Sequence, residues 1–350
     1  MATRRAFLAG LAATLAPRPT WAEVGSPAFL AAARAGQDYV LHGLTETGDS
    51  LFSLPLPARG HAAAAHPTLA LAVAFARRPG TFALVIDCLR GTTAARLTPP
   101  EGRQFNGHGV FAGDGALLMT SEVAAETSDG LLGLWETATW ARIGEWPTGG
   151  IGPHDLRCLP DGRLVVANGG IRTDPTDRRK LNLDTMRPNL TLLAADGEIL
   201  DQAALPEALH RNSIRHLARQ GDAIAFAMQW EGDAAEPVPQ LGLWTPGSAP
   251  MLCPPDDTQA FAMKGYAGSI ATAPGLVALT SAPGGALMLF DAAGAPLATH
   301  RRADVSGVAL GPRGLVATDG QGGIWAVDGQ GLQLLAHHPV AWDNHLVSLA

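Results

Sequence analysis

Five histidines and one arginine recur at matching phases of a repeated pattern in this chain. His61, His108 and His154 each open a segment of the form His-x-φ-x-x-φ leading into a tight turn, Arg215 with its neighbour His216 opens a fourth, and His345 lies in the tail. Neutral imidazole is a good ligand for copper, zinc, iron or nickel, and protonated imidazole beside arginine binds anions. A chain with only 11 His is not expected to place three of them at matching starts by chance. His108, His154 and His345 are therefore candidate ligands of a transition metal. No His pair has a short metal spacing such as His-x-His or His-Glu-x-x-His, so this reading depends on a fold that gathers distant residues. The competing role is structural, with each imidazole bonded to the backbone or a hydroxyl of the next repeat.

A second candidate region follows one of these repeats. The segment that starts at His154 and turns at Pro160-Asp161-Gly162 ends at Asn168-Gly169-Gly170, after which residues 172–187 form an insertion that no other repeat carries. Asp174, Asp177, Arg178, Arg179, Lys180, Asp184 and Arg187 make it too polar for a core. Long loops on a rigid scaffold are frequent binding surfaces. The alternative is a capping loop held by its own salt bridges. Asp174-Pro175-Thr176-Asp177 has the outline of a calcium loop but lacks its Gly and distal Glu, so calcium ranks below a transition metal. Glu122, Asn168 and Gln229 end second strands of successive repeats, which invites comparison with the calcium site of propeller lactonases. There is no Gly-x-Ser-x-Gly elbow, Walker loop or Rossmann fingerprint, so the usual motifs of a serine hydrolase, nucleotide enzyme or dinucleotide enzyme are missing.

The repeat also predicts the elements that must position these residues. Full repeats begin at His61, His108, His154, Arg215, Gly268 and Ser306, with third strands expected at 82–87, 131–136, 190–194, 240–244, 286–291 and 323–328. Intervals averaging about 47 residues suit four-stranded propeller blades. The tail from Trp342 starts a seventh repeat that it cannot finish, and strands near 39–44 and 50–55 can complete it. An all-β, seven-bladed propeller of WD40/YVTN type follows, closed by strands from both termini so that no sheet edge is left open. Residues 28–35 are read as a short helix leading into the ring. In such a ring the repeat starts converge on one mouth of the central channel.

Composition agrees with this architecture: 41 Gly and 26 Pro against 16% charged residues suit short strands and tight turns. Thr3-Arg4-Arg5-Ala6-Phe7-Leu8, followed by a short apolar segment and Thr20-Trp21-Ala22, matches a twin-arginine export signal. The expected division is a signal peptide over 1–22 and one propeller domain over 23–350, located in the periplasm. Cleavage would remove Arg4, Arg5 and Arg18 and no acid, leaving 22 basic against 32 acidic residues, net −10. That charge argues against nucleic acid or an anionic membrane as partner. The apolar segment is too short to span a bilayer, and a monomer is expected. Cys88, Cys158 and Cys253 give no disulfide framework, and the first two sit in apolar runs where buried, inert thiols are expected.

Phe75-Ala76-Arg77-Arg78-Pro79-Gly80, Gly107-His108-Gly109-Val110-Phe111, Gly150-Ile151-Gly152-Pro153-His154, Ala167-Asn168-Gly169-Gly170-Ile171, Lys180-Leu181-Asn182-Leu183-Asp184-Thr185-Met186 and Ser213-Ile214-Arg215-His216-Leu217 together resemble the bacterial domain-of-unknown-function family 1513. The resemblance runs from about Arg59 to the C-terminus. It implies a periplasmic, propeller-like protein whose genes tend to accompany those of imelysin-like and dihaem peroxidase-like proteins, and so points to iron or other metal handling. It carries over no catalytic residue, only the motif positions His108, His154, Asn168, Lys180, Asn182, Asp184, Arg215 and His216. The Ala62–Ala65 tract makes His61 the weakest member of the set. The leading expectation is a non-catalytic propeller that binds a metal, a metal complex or a periplasmic partner protein at the channel mouth. The alternatives are a metal-dependent enzyme, either lactonase-like or a copper oxidoreductase, and a protein–protein scaffold.

Overall fold

The computed structural model describes residues 19–76, 82–177 and 179–349. Arg4 and Arg5 of the expected export signal, Arg77 to Gly80 of the family motif, and Arg178 of the insertion lie outside the described residues. Among the described residues 28 strands, β1 to β28 in chain order, form seven antiparallel sheets of four. These are the blades of a propeller, and the expected third strands fall within a residue or two of their observed places, as at Ala83–Asp87, Asn189–Leu193 and Ala286–Asp291.

Blade 1 has the order β28-β1-β2-β3, in which β28 (Ala341–Ser348) pairs with β1 (Phe29–Ala35), followed by β2 (Asp38–Leu44) and β3 (Ser50–Leu56). The chain ends therefore close the ring together, and Trp342 and Leu346 of β28 are buried with Phe29, Leu44, Val316 and Ile324. The expected helix over 28–35 is incorrect. Its alanines favour helix by only a few tenths of a kcal/mol per residue, about 0.7 at most over ordinary residues. As β1 the same segment pairs along both edges, with β28 and with β2, and hides five successive side chains.

The innermost strands of blades 2 to 7 are β4 (Gly60–Ala65), β8 (Arg103–Phe111), β12 (Pro153–Cys158), β16 (Asn212–Gln220), β20 (Ser269–Ala273) and β24 (Val305–Gly311). Apolar side chains of each middle strand are covered by the neighbouring blades. Hence β13 (Leu164–Asn168) is buried at every residue, and the core is distributed among the blade interfaces. Between blades 5 and 6 a short helix, α1 (Asp257–Met263), begins on an Asp256–Gln259 capping box and packs Ala260, Ala262 and Met263 inward. No helix among the described residues is long and apolar enough to cross a membrane.

Residues beside the expected cleavage point are docked on blade 2. The Trp21 indole donates to His66 O at 2.8 Å, and Ala70 N donates to Pro19 O at 2.9 Å. The three cysteines are free thiols, and burial pushes Cys88 up to about 12 and Cys158 and Cys253 up to about 11, in keeping with inert packing groups.

Candidate metal centre in the central channel

In a regular strand side chains alternate between the two sheet faces, and in a radial blade those faces look at neighbouring blades, not at the axis. Six of the seven innermost strands break the alternation. Their registers shift between Gly60 and Ala63, Phe105 and Gly109, Pro153 and Leu156, Ile214 and His216, Val305 and Val308, and, in β28, Trp342 and Leu346. A bulge re-aims the residues it displaces. His61, His108, His154 and His345 lie within these irregular stretches, and His216 closes its own. β20 pairs without a shift and carries no histidine.

The five imidazoles meet on the channel axis, and His108 Nε2 is 3.2 Å from His61 Nε2. Two groups of three, His61–His108–His345 and His108–His154–His216, have donor nitrogens within 4.8 Å of one another. The second group is wholly buried, and no hydrogen-bond partner reaches His154 Nδ1 or His345 Nε2. Burial lowers His154, His216 and His345, His216 to about 3 and the other two well below the ordinary histidine range. The neighbouring imidazoles act in the same direction for all three, as Arg215 does for His154 and His216. At neutral pH these rings are uncharged, the state in which imidazole binds a metal.

Asp155, the residue after His154, was not among the candidates from sequence, although the His154-Asp155 pair was visible there. One of its oxygens accepts from Leu156 N at 2.9 Å and lies 3.6 Å from His108 Nδ1. The other accepts from Leu217 N of blade 5 at 3.0 Å and faces Arg157 at 3.4 Å. Burial pushes this carboxyl up, but Arg157 and His108 outweigh it and hold it well below the usual range. A carboxylate beside one ring nitrogen directs the other towards a metal. Beyond the cluster the channel opens into a cavity of about 590 Å³ whose walls include His108, His216, His345, Asp155 and Arg157.

The remaining candidates are distributed differently. Asn168 is consumed between strands, donating to Thr148 O, Asn189 Oδ1 and Thr191 Oγ1 while accepting from Thr148 Oγ1. Asn182 staples the insertion through Arg172 N and Gly170 O. Asp184 is exposed and pairs with Arg211, and Lys180 pairs with Glu231. Glu231 also faces the Arg215 guanidinium at 3.7 Å, so Arg215 turns from the cluster towards the insertion while its neighbour His216 joins the imidazoles. The chain of contacts Lys180–Glu231–Arg215 places the insertion at the histidine end of the channel. The loop also leans on blade 3, where Thr173 N donates to Ser128 Oγ at 3.1 Å.

The lactonase-like trio is not assembled. Glu122 is fully buried, where Thr120 Oγ1 donates to it and Arg142 pairs with it at 2.7 Å. Gln229 donates to Ala267 O, and none of the trio lines the cavity. The calcium outline is spent as well, because Asp174 is held at about 2 by Thr176 first and also by Arg179.

Fold and site together define a seven-bladed propeller of WD40-like architecture with an imidazole-lined channel. The chain belongs to the family described as "Protein of unknown function (DUF1513)", which matches residues 54–349. No curated protein matches. Among solved structures, a chain of Kuenenia stuttgartiensis hydrazine synthase superposes with a TM-score of 0.59 at 12% identity, over 82% of this chain and 87% of that one. The RRP9 WD40 repeats give 0.58 at 14% identity over 84% of each chain, and U3-55K gives 0.58 at 12% over 93% of each. At these identities the likeness is one of fold alone.

Proposed function

We propose that this protein is a periplasmic transition-metal-binding propeller whose site is the five-histidine cluster. The observation that carries the reading is the convergence of His61, His108, His154, His216 and His345 with donor atoms in two groups within 4.8 Å. Borderline cations such as zinc, copper, nickel or ferrous iron suit neutral imidazole, and the second nitrogen of His108 has its carboxylate partner in Asp155. The export signal read from Arg4 and Arg5 fits the same picture, since the twin-arginine route carries proteins that fold before export and can take up metal in the cytoplasm.

The experiment is elemental analysis of protein recovered from the periplasm, beside the His108→Ala/His154→Ala variant. Stoichiometric metal in the parent and none in the variant supports the reading. Metal-free parent protein that also takes up no zinc, copper or nickel on dialysis refutes it.

The cavity favours a second reading, a metal-dependent enzyme. Two imidazoles of each tri-histidine group border the cavity, so an ion held there has solvent space for a further ligand, as in catalytic rather than structural zinc. An absorption spectrum of the copper-loaded protein that changes on adding azide would favour this reading over simple storage or transfer of the ion.

A further inference from the structure

The five imidazoles are not equivalent. His61, His154, His216 and His345 form a circuit, with ring centroids 5.6 Å apart from His61 to His154, 4.7 Å to His216, 4.9 Å to His345 and 4.8 Å back to His61. His108 stands inside it, between 4.6 and 5.7 Å from each of the four. It is also the one residue common to both tri-histidine groups.

Resting on the metal-binding reading, we infer that the cluster holds one transition-metal ion per chain, that His108 is a ligand in every position the ion takes, and that the two tri-histidine groups are alternative seats for it. Three observations lead there. The two groups overlap at a residue whose Nδ1 faces Asp155, so His108 offers a single nitrogen, Nε2, and cannot bridge two cations. Neither group contains a carboxylate or thiolate to screen one dication from another. Asp155 is the single carboxylate on the cavity wall, and two backbone N–H groups and Arg157 already occupy it. Two dications a few ångströms apart in a buried channel, with no bridging anion, repel strongly.

The seats differ in access. His61 and His345 are partly exposed, whereas His154 and His216 are buried. The less buried group is thus the outer seat and His108–His154–His216 the inner one, and passage between them exchanges two imidazoles while His108 stays bound.

The test is equilibrium dialysis of the full chain against zinc, then against copper, with metal and protein quantified together. The expected plateau is one ion per chain. His61→Ala and His216→Ala, which each spare one group, weaken binding by about 10-fold or less, whereas His108→Ala and the double variant His61→Ala/His216→Ala weaken it by about 100-fold or more. Should His108→Ala fail to fold by circular dichroism, His108→Gln, which keeps a polar side chain of similar length, takes its place with the same expected loss. A plateau of two ions, or a His108 variant that binds within threefold of the parent, overturns the inference while leaving a metal site in place. A parent chain that binds neither metal overturns both readings.

Discussion

The histidine cluster should make the metal-free protein unusually sensitive to mild acid. In the unfolded chain each imidazole titrates near 6.5, whereas in the folded protein burial holds His216 to about 3 and His154 and His345 well below the ordinary range. A folded value below the unfolded one means that the unfolded state binds more protons at intermediate pH. The stabilisation is thus complete above about pH 6.5 and drains away as pH falls towards the folded values. His216 alone costs about 1.4 kcal/mol per pH unit below the unfolded value, hence about 2.7 kcal/mol at pH 4.5, and His154 and His345 add to it in the same direction. The His216 share by itself is a sizeable fraction of the stability of a typical domain, about 5–15 kcal/mol. Glu122 acts in the opposite sense, since burial raises it and the folded protein takes up its proton first.

The assay is urea unfolding of chelator-treated protein from pH 8 to pH 5, with the free energy extrapolated at each pH. The expected slope below pH 6 is at least one proton, or about 1.4 kcal/mol per pH unit, and His216→Gln should reduce it by about one proton. A free energy that stays level from pH 7 to pH 5, or a slope of less than one proton, would refute the claim that these rings are buried uncharged.

Three further outcomes follow from the geometry. Arg142→Met strands the fully buried Glu122 carboxylate and should destabilise the fold by about 3 kcal/mol or more in urea titration at pH 8; a loss below about 1 kcal/mol would mean that the carboxyl takes up a proton or reaches water. Asp155→Asn replaces one of the two oxygens, so either Leu217 N–H loses its acceptor or His108 loses the facing carboxylate oxygen, and the change should cost about 1–3 kcal/mol of stability while weakening metal binding about 10- to 100-fold. An unchanged cobalt ligand-field spectrum in that variant would confine Asp155 to a structural role. At Gly107, φ is +97° and an added Cβ would lie 2.6 Å from His61 Cδ2, so Gly107→Ala should cost about 1–2 kcal/mol in backbone strain and disturb cobalt binding. Parent-like stability in denaturant would show that the left-handed turn is not required.

The architecture was legible because every blade repeats one pattern: an apolar strand, a Gly-containing turn and a second apolar strand. The phases of His61, His108 and His154 were enough to count blades and to predict ring closure by the tail from Trp342. Residues 28–35 misled because alanine-rich local propensity is weak beside pairing on two edges, and the partner strand β28 lies more than 300 residues away. Within the site, repeat phase found all five histidines but could not separate Arg215 from His216. A bulge of one residue decides which of the two faces the axis. Asn168 and Asn182 share motif positions with the cluster, yet they bond backbone and hydroxyl groups elsewhere. Asp155 was missed because its role depends on Leu217 and His108, which belong to other blades.

The same irregularity explains why the site can exist at all. Regular innermost strands would present backbone edges to the channel and send their side chains into the blade interfaces, where an imidazole would be consumed as a hydrogen-bonding tie. Bulges give up ladder hydrogen bonds at six inner strands and turn polar side chains towards one another, away from water. In the absence of a ligand that arrangement is unfavourable, since His154 Nδ1 and His345 Nε2 are buried without partners. Arg215 adds to it by opposing protonation of His154 and His216. A cation bound by neutral nitrogens satisfies the orphaned donors and needs no proton to be displaced. The features that make the empty channel costly, and acid-sensitive, are those on which the proposed metal site would draw at neutral pH.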